Sequence, residues 1–160
     1  MPITPFHFGP GAAIHAIAPQ RVSFIAFCTA NVLIDLEPLY YMSTDQFPLH
    51  RFFHTYFGAT LVAFFTVGLF FAARTIRLPD LFGWRGSSTA SVAVGAAFGS
   101  CTHVVFDSIM HSDIRPFAPF SNSNPLLMAI PIDTLHLSCV FAGAIGIAIL
   151  LIRKLRKASV

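Results

Sequence analysis

Four stretches of mostly apolar residues, at 22–42, 52–73, 88–110 and 129–152, dominate this chain. Each is close to the roughly 20 residues a helix needs to cross a bilayer. They leave only short connections in a chain of 160 residues, marked by breakers such as Pro48, Pro79, Pro116, Pro119 and Pro125. Charged residues make up 11% of the sequence and hydrophobic residues 55%. A soluble domain carries roughly a quarter charged residues, so these charges are too few to solvate a globule. The pattern excludes a soluble enzyme, a nucleic-acid-binding domain and a disordered protein. The expected fold is all-α: one integral-membrane domain over residues 1–160, a polytopic helix bundle with four spanning helices and a short N-terminal helix near 11–19. That short helix, with about 14 Å of rise, cannot cross. It either lies at the inner interface or re-enters the bundle and returns through Pro19 and Arg21.

Basic residues set the expected orientation. Alternating sides puts Arg21, Arg74, Arg77, Arg85, Arg153, Lys154, Arg156 and Lys157 on one face, eight in all, and leaves only Arg51 and Arg115 on the other. The first face is expected to be cytoplasmic, with the C-terminus there and the loops 43–51 and 111–128 outside. The basic tail reads as an anchor to anionic membrane lipid, not as a nucleic-acid signal. Cys28, Cys101 and Cys139 are odd in number and widely spaced, so they read as small buried hydrophobes, not as a disulfide framework.

The third stretch carries the strongest chemical signal. Ser91, Gly95, Gly99, His103, Asp107 and His111 recur every four residues and share a helix face. The small residues let another helix approach. The last three form a His-x3-Asp-x3-His ladder with metal-ligand spacing. An ionisable group in a bilayer costs about 2.5–3.5 kcal/mol on insertion scales and is functional by default. The second stretch is expected to open with His50 and His54 on one face at i, i+4, a spacing that can bind one metal. In the first stretch Asp35 shares a face with Asn31. Pro38 disfavours helical backbone at Glu37, so the helix is expected to end there. Both carboxylates then either turn to one site or reach the headgroups. Asp133 and His136 are second-tier partners, and His15 reads as structural.

These residues resemble the predicted membrane-bound metal-dependent hydrolases, a bacterial inner-membrane group with a LexA-binding branch. The resemblance runs over residues 4–120. It rests on His7 within Thr4-Pro5-Phe6-His7-Phe8-Gly9-Pro10-Gly11, on Asp35-Leu36-Glu37-Pro38, on His50-Arg51-Phe52-Phe53-His54-Thr55, and on Thr102-His103 with Asp107 ahead of Arg115-Pro116. The commoner family version is His-Arg-Gly-x-Thr-His-Ser, with the histidines one position further apart and Gly where this chain has Phe52. The resemblance adds His7 to the ligand set and implies an inner-membrane location.

The expected function is an integral-membrane hydrolase of an ester or phosphoester in a lipid or lipid-linked substrate, using metal-activated water. The expected metal ligands are His7, Asp35, His50, His54, His103, Asp107 and His111. Mixed imidazole and carboxylate donors suit a divalent transition metal, zinc foremost, as one or two ions. Glu37 is the expected general base, and Arg51 and Arg115 are expected to hold an anionic phosphate. The alternative is a membrane transporter or a proton or metal-ion relay using the same buried His/Asp cluster. A haem carrier is disfavoured by the adjacent carboxylates. Under the basic-residue orientation Asp35, Glu37, His50, His54, His103, Asp107 and His111 fall toward the outer face, and His7 joins them if the short helix re-enters.

Overall fold

The computed structural model describes residues 5–76 and 78–159, so Thr4 and Arg77, used above in the motif and the charge count, lie outside the described residues. The described residues form an all-helical bundle: α1 (Phe8–Ile17), α2 (Phe24–Ser43), α3 (Tyr56–Arg74), α4 (Thr89–Met110) and α5 (Ile132–Ala158), with 3-10 segments at Pro5–His7 and Leu81–Gly86. Among them α3, α4 and α5 are long and apolar enough to cross a membrane. Asn31, Asp35, Glu37 and Pro38 make α2 more polar. Large apolar side chains on α3 and α5, including Phe64, Phe65, Leu137, Phe141 and Leu155, point outward. A face of that kind is stable against lipid, not water.

Local chemistry sets the helix starts. The hydroxyls of Ser23, Thr55 and Ser88 accept from the backbone N–H of Ala26, Gly58 and Ser91, each three residues on. These are N-caps that satisfy otherwise orphaned donors. Helix α2 runs through Pro38 to Ser43, which corrects the expectation that it ends at Glu37. Pro38 is buried inside the helix, where local packing outweighs the preference of the preceding residue. The second stretch starts later than expected. Thr55 is its cap, so His50 and His54 lie in the preceding segment and not on a helical face.

Helix α4 is the central element, packed between α2 and α3, while α1 packs on α5. The small-residue row makes this contact close. A Cβ at Gly99 would collide with the Phe27 carbonyl of α2, and one at Gly95 with the Ser23 carbonyl. Gly146 of α5 is pressed in the same way against the Ala12 backbone of α1. Buried Ala26, Ala30, Ile34, Ala59, Val62, Ala96 and Val104 fill the core between α2, α3 and α4.

Helix α1 runs along the bundle. His7, just before it, touches His103 in the second half of α4. Beyond its other end Ser23 donates its N–H to the Ser91 carbonyl in the first turn of α4. Ten residues of helix rise about 15 Å, and with the 18–23 turn they cover the roughly 18 Å from the His103 level to the Ser91 level. The chain therefore enters at the polar end, descends as α1, turns at 18–23 and returns as α2.

Candidate metal centre

Each of four side chains reaches one point from a different direction. Asp35 comes from α2, His54 from the segment before α3, and His103 and Asp107 from adjacent rungs of α4. Each brings a ligand atom within 4.8 Å of the others, and all four are buried. His103 Nε2 lies 3.2 Å from Asp35 Oδ1 and 3.3 Å from Asp107 Oδ2. His54 Nε2 lies 3.4 Å from Asp107 Oδ2 and 4.0 Å from Asp35 Oδ1. Donors placed about 2.0–2.1 Å from a tetrahedral zinc stand about 3.3–3.4 Å apart. The observed separations fall around that value.

The polar accounting distinguishes this arrangement from an ordinary buried network. His7 Nε2, Asp35 Oδ1, His54 Nε2, His103 Nε2 and Asp107 Oδ1 are all buried without a hydrogen-bond partner. Leaving such an atom bare costs about 1–3 kcal/mol. Imidazolium–carboxylate ion pairs would direct N–H groups at carboxylate oxygens, and these contacts lack that geometry. Two buried carboxylates also carry a formal charge that a single divalent cation neutralises. The residues fit a metal ion.

An outer contact fixes the His103 imidazole. Asn31 Nδ2 donates to the carbonyls of Phe27 and Gly99, at 2.9 and 3.2 Å. The amide cannot flip without losing both, so its Oδ1 faces His103 Nδ1 at 3.1 Å. That oxygen only accepts. His103 therefore carries its proton on Nδ1 and turns a bare Nε2 toward the carboxylates. On the other ring, Glu37 Oε2 lies 3.7 Å from His54 Nδ1, beyond hydrogen-bond distance, and that nitrogen is buried without a partner. A carboxylate or amide behind a ligating imidazole is the usual means of holding its orientation.

Glu37 has a second task. Its carboxylate accepts the backbone N–H groups of Arg51, Phe52 and Phe53 at 2.9–3.2 Å. It fastens the segment that carries His54, a positioning task that the sequence reading of Glu37 as general base did not foresee. His7 packs edge-on against His103, with Nδ1 atoms 3.2 Å apart, and its Nε2 lies 3.3 Å from Asp107 Oδ1. Asp107 thus has imidazoles on both oxygens.

The seven sequence-derived ligands divide into two groups. His111 leaves the α4 ladder because it is the C-cap, with extended backbone at φ −120° and ψ 124°. It stacks on His50 at 4.4 Å between ring centroids. These two histidines and Asp113 form a separate cluster nearer the surface. Asp113 was not recognised in the sequence, where the only signal was its position two residues after a ladder histidine. Asp113 Oδ2 accepts the N–H groups of Leu49 and His50, both at 3.1 Å, and Oδ1 lies 3.0 Å from His50 Nδ1. Burial drives His50 below the ordinary imidazole value of 6.5, to about 4, aided by the neighbouring His54. Burial also lowers His111. Burial alone would raise Asp113, but the His50 N–H and imidazole hold it below the usual carboxylate value.

Arg51 and Arg115 line a cavity of about 400 Å³ together with His50, Thr55 and Asp113. Arg51 donates to the carbonyls of Pro48 and Phe47 and lies over the Tyr41 ring. Arg115 donates to the carbonyls of Ser112 and Ile114. Neither touches the inner four ligands. His136 stacks on Phe6 with its Nε2 buried and unpartnered, and Asp133 is exposed; neither is among the four inner ligands. His15 bonds the Val22 carbonyl at 2.7 Å, a structural contact. No family model, curated protein or solved structure matches the chain.

Proposed function

We propose that this protein is an integral-membrane, metal-dependent hydrolase that cleaves an ester or phosphoester in a lipid or lipid-linked substrate. The observation that carries the proposal is the convergence of bare ligand atoms from Asp35, His54 and His103 with Asp107 Oδ2 at zinc-like separations. A divalent transition metal held there, zinc by its donor set, supplies a Lewis acid that polarises the scissile group and acidifies water. Asn31 orients the His103 imidazole, and Glu37 fastens the backbone segment that carries His54. His50, in ring contact with His54 at 4.6 Å and beside Asp113, stands between the inner ligands and the cavity. Arg51 and Arg115 give the cavity wall two positive charges suited to an anionic group. Exposed Phe52 and Phe57 at the same wall suit acyl chains. The resemblance to membrane-bound metal-dependent hydrolases agrees with this chemistry.

The same reading makes α2 a fourth crossing. Its polar residues face the bundle interior, and Asn31, Ile34, Asp35 and Pro38 are buried. Arg74, Arg85 and Arg153 bond carbonyls at the end away from the cluster. By the positive-inside rule that end is cytoplasmic, and the site opens outward in the inner membrane of a bacterium.

The test is detergent-purified protein assayed for metal content and for release of product from micellar carboxylic esters and phosphomonoesters. Chelator-sensitive turnover, lost in Asp107→Ala and His103→Ala together with metal, is the expected result. Metal bound without turnover on either ester class, with metal or proton flux in proteoliposomes, would overturn it in favour of the relay.

A further inference from the structure

We infer that His50, His111 and Asp113 form a second divalent transition-metal site at the mouth of the bundle, weaker than the inner one. Calling it second rests on the inner-site reading; its own residues stand independently. Each of the three offers a ligand atom within 4.8 Å of the other two. Two imidazoles and one carboxylate make a three-ligand set of the kind that leaves a position for water or substrate.

A purely structural role accounts for only part of this cluster. Asp113 Oδ2, by accepting the Leu49 and His50 N–H groups, fastens the turn before His54. That task does not use His111. The His111 backbone already has partners, its N–H donating to Asp107 and its carbonyl accepting from Asn124. Its ring makes no hydrogen bond among the described residues, yet it is stacked on His50. Nor does the clasp exhaust the carboxylate, which offers about four lone-pair directions. Asp113 Oδ1 has only the His50 ring nitrogen beside it.

Accessibility separates the two sites. The inner ligands are buried, whereas the Asp113 side chain is 30% exposed. His50 and Asp113 line both the Arg51–Arg115 cavity and a second cavity of about 400 Å³ that includes His111 and Met42. Water competes for a cation there and lowers the affinity. The rings of His111, His50, His54 and His103 follow one another at centroid spacings of 4.4, 4.6 and 5.3 Å. A cation at the mouth is thus separated from the inner ligands by one imidazole and stands beside the arginines that would hold an anionic substrate.

The experiment is equilibrium dialysis of chelator-stripped, detergent-purified full chain against zinc alone, with metal counted per chain. Wild type is expected to bind two zinc ions of different affinity. His111→Ala should lose the weaker ion and keep the tighter, and the retained ion reports that the variant is folded. His111→Cys, which restores a ligand but not the ring stack, should recover the weaker ion. Asp107→Ala should lose the tighter ion. If wild type binds one ion and His111→Ala keeps it unchanged, the mouth site is overturned while the inner site stands. If the single ion is lost in His111→Ala and kept in Asp107→Ala, the mouth site stands and the inner one fails. Failure of His111→Cys to recover an ion lost in His111→Ala would assign His111 to packing and overturn the proposal.

Discussion

Replacing Asn31 by leucine isolates the device that prepares His103 for a metal. The side chain is buried, with relative exposure of 2%. Its amide fixes the ring through one contact at 3.1 Å. Leucine has nearly the same size but removes the amide acceptor, leaving His7 Nδ1 at 3.2 Å as the other polar neighbour of that nitrogen. The imidazole can then place that proton on either nitrogen and turn more freely. Loss of an outer partner of a ligating histidine costs about 10–100-fold in metal affinity, or about 1.4–2.7 kcal/mol. The effect on folding should be smaller than usual for a buried amide. The carbonyls that lose Asn31 Nδ2, those of Phe27 and Gly99, lie inside α2 and α4 and have helical N–H groups available. Each lost bond then costs about 0.5–1.5 kcal/mol. Zinc affinity is measured by competition with a chromogenic chelator in detergent, with helicity and thermal midpoint followed in parallel. Thr66→Val is the control, since Thr66 is equally buried but bonds only the Val62 carbonyl of its own helix. An Asn31→Leu protein that is folded and binds zinc within twofold of wild type would refute the assignment of the His103 tautomer, and with it the claim that the bare Nε2 is a built ligand.

Other outcomes follow from the same geometry. Gly99→Val should prevent α2 and α4 from meeting, abolishing zinc binding and lowering the thermal midpoint sharply. Gly68→Ala, where an added methyl meets nothing within 4 Å, should be neutral or stabilise by about 0.5–1 kcal/mol. Arg51→Ala and Arg115→Ala should raise KM for anionic substrates with little change in kcat or zinc content; an unchanged KM in both would remove the cavity from substrate binding. In metal-free protein, the unfolded chain protonates His50 near 6.5 and the folded chain only near 4. Its contribution to stability is therefore present above that window and lost as pH falls through it. Thermal midpoints should drop across the window, and less steeply in His50→Gln. Reporter fusions at the C-terminus and near Asn122 should read cytoplasmic and external, and a cytoplasmic signal at Asn122 would reverse the orientation.

Periodicity and composition were enough to read an all-helical, lipid-facing bundle, because a long apolar run has few stable alternatives once water is excluded. The four-residue spacing of Ser91, Gly95, Gly99, His103 and Asp107 likewise follows from the helical repeat alone, and it correctly puts the close-packing row and two inner donors on one face. What periodicity could not supply is behaviour where the helix stops. His111 fits the same spacing, yet it is the C-cap, and a single change to extended backbone sends it to a different cluster. His50 and His54 also look like one helical face, but the Thr55 cap and the Glu37 clasp hold them in a turn, where they serve separate groups. The sequence around Pro38 implies a helix end, and packing carries the helix through. Asp113 and the amide direction of Asn31 became legible only in three dimensions. Their roles depend on which carbonyls and N–H groups lie opposite, and those partners are 63 to 72 residues away along the chain.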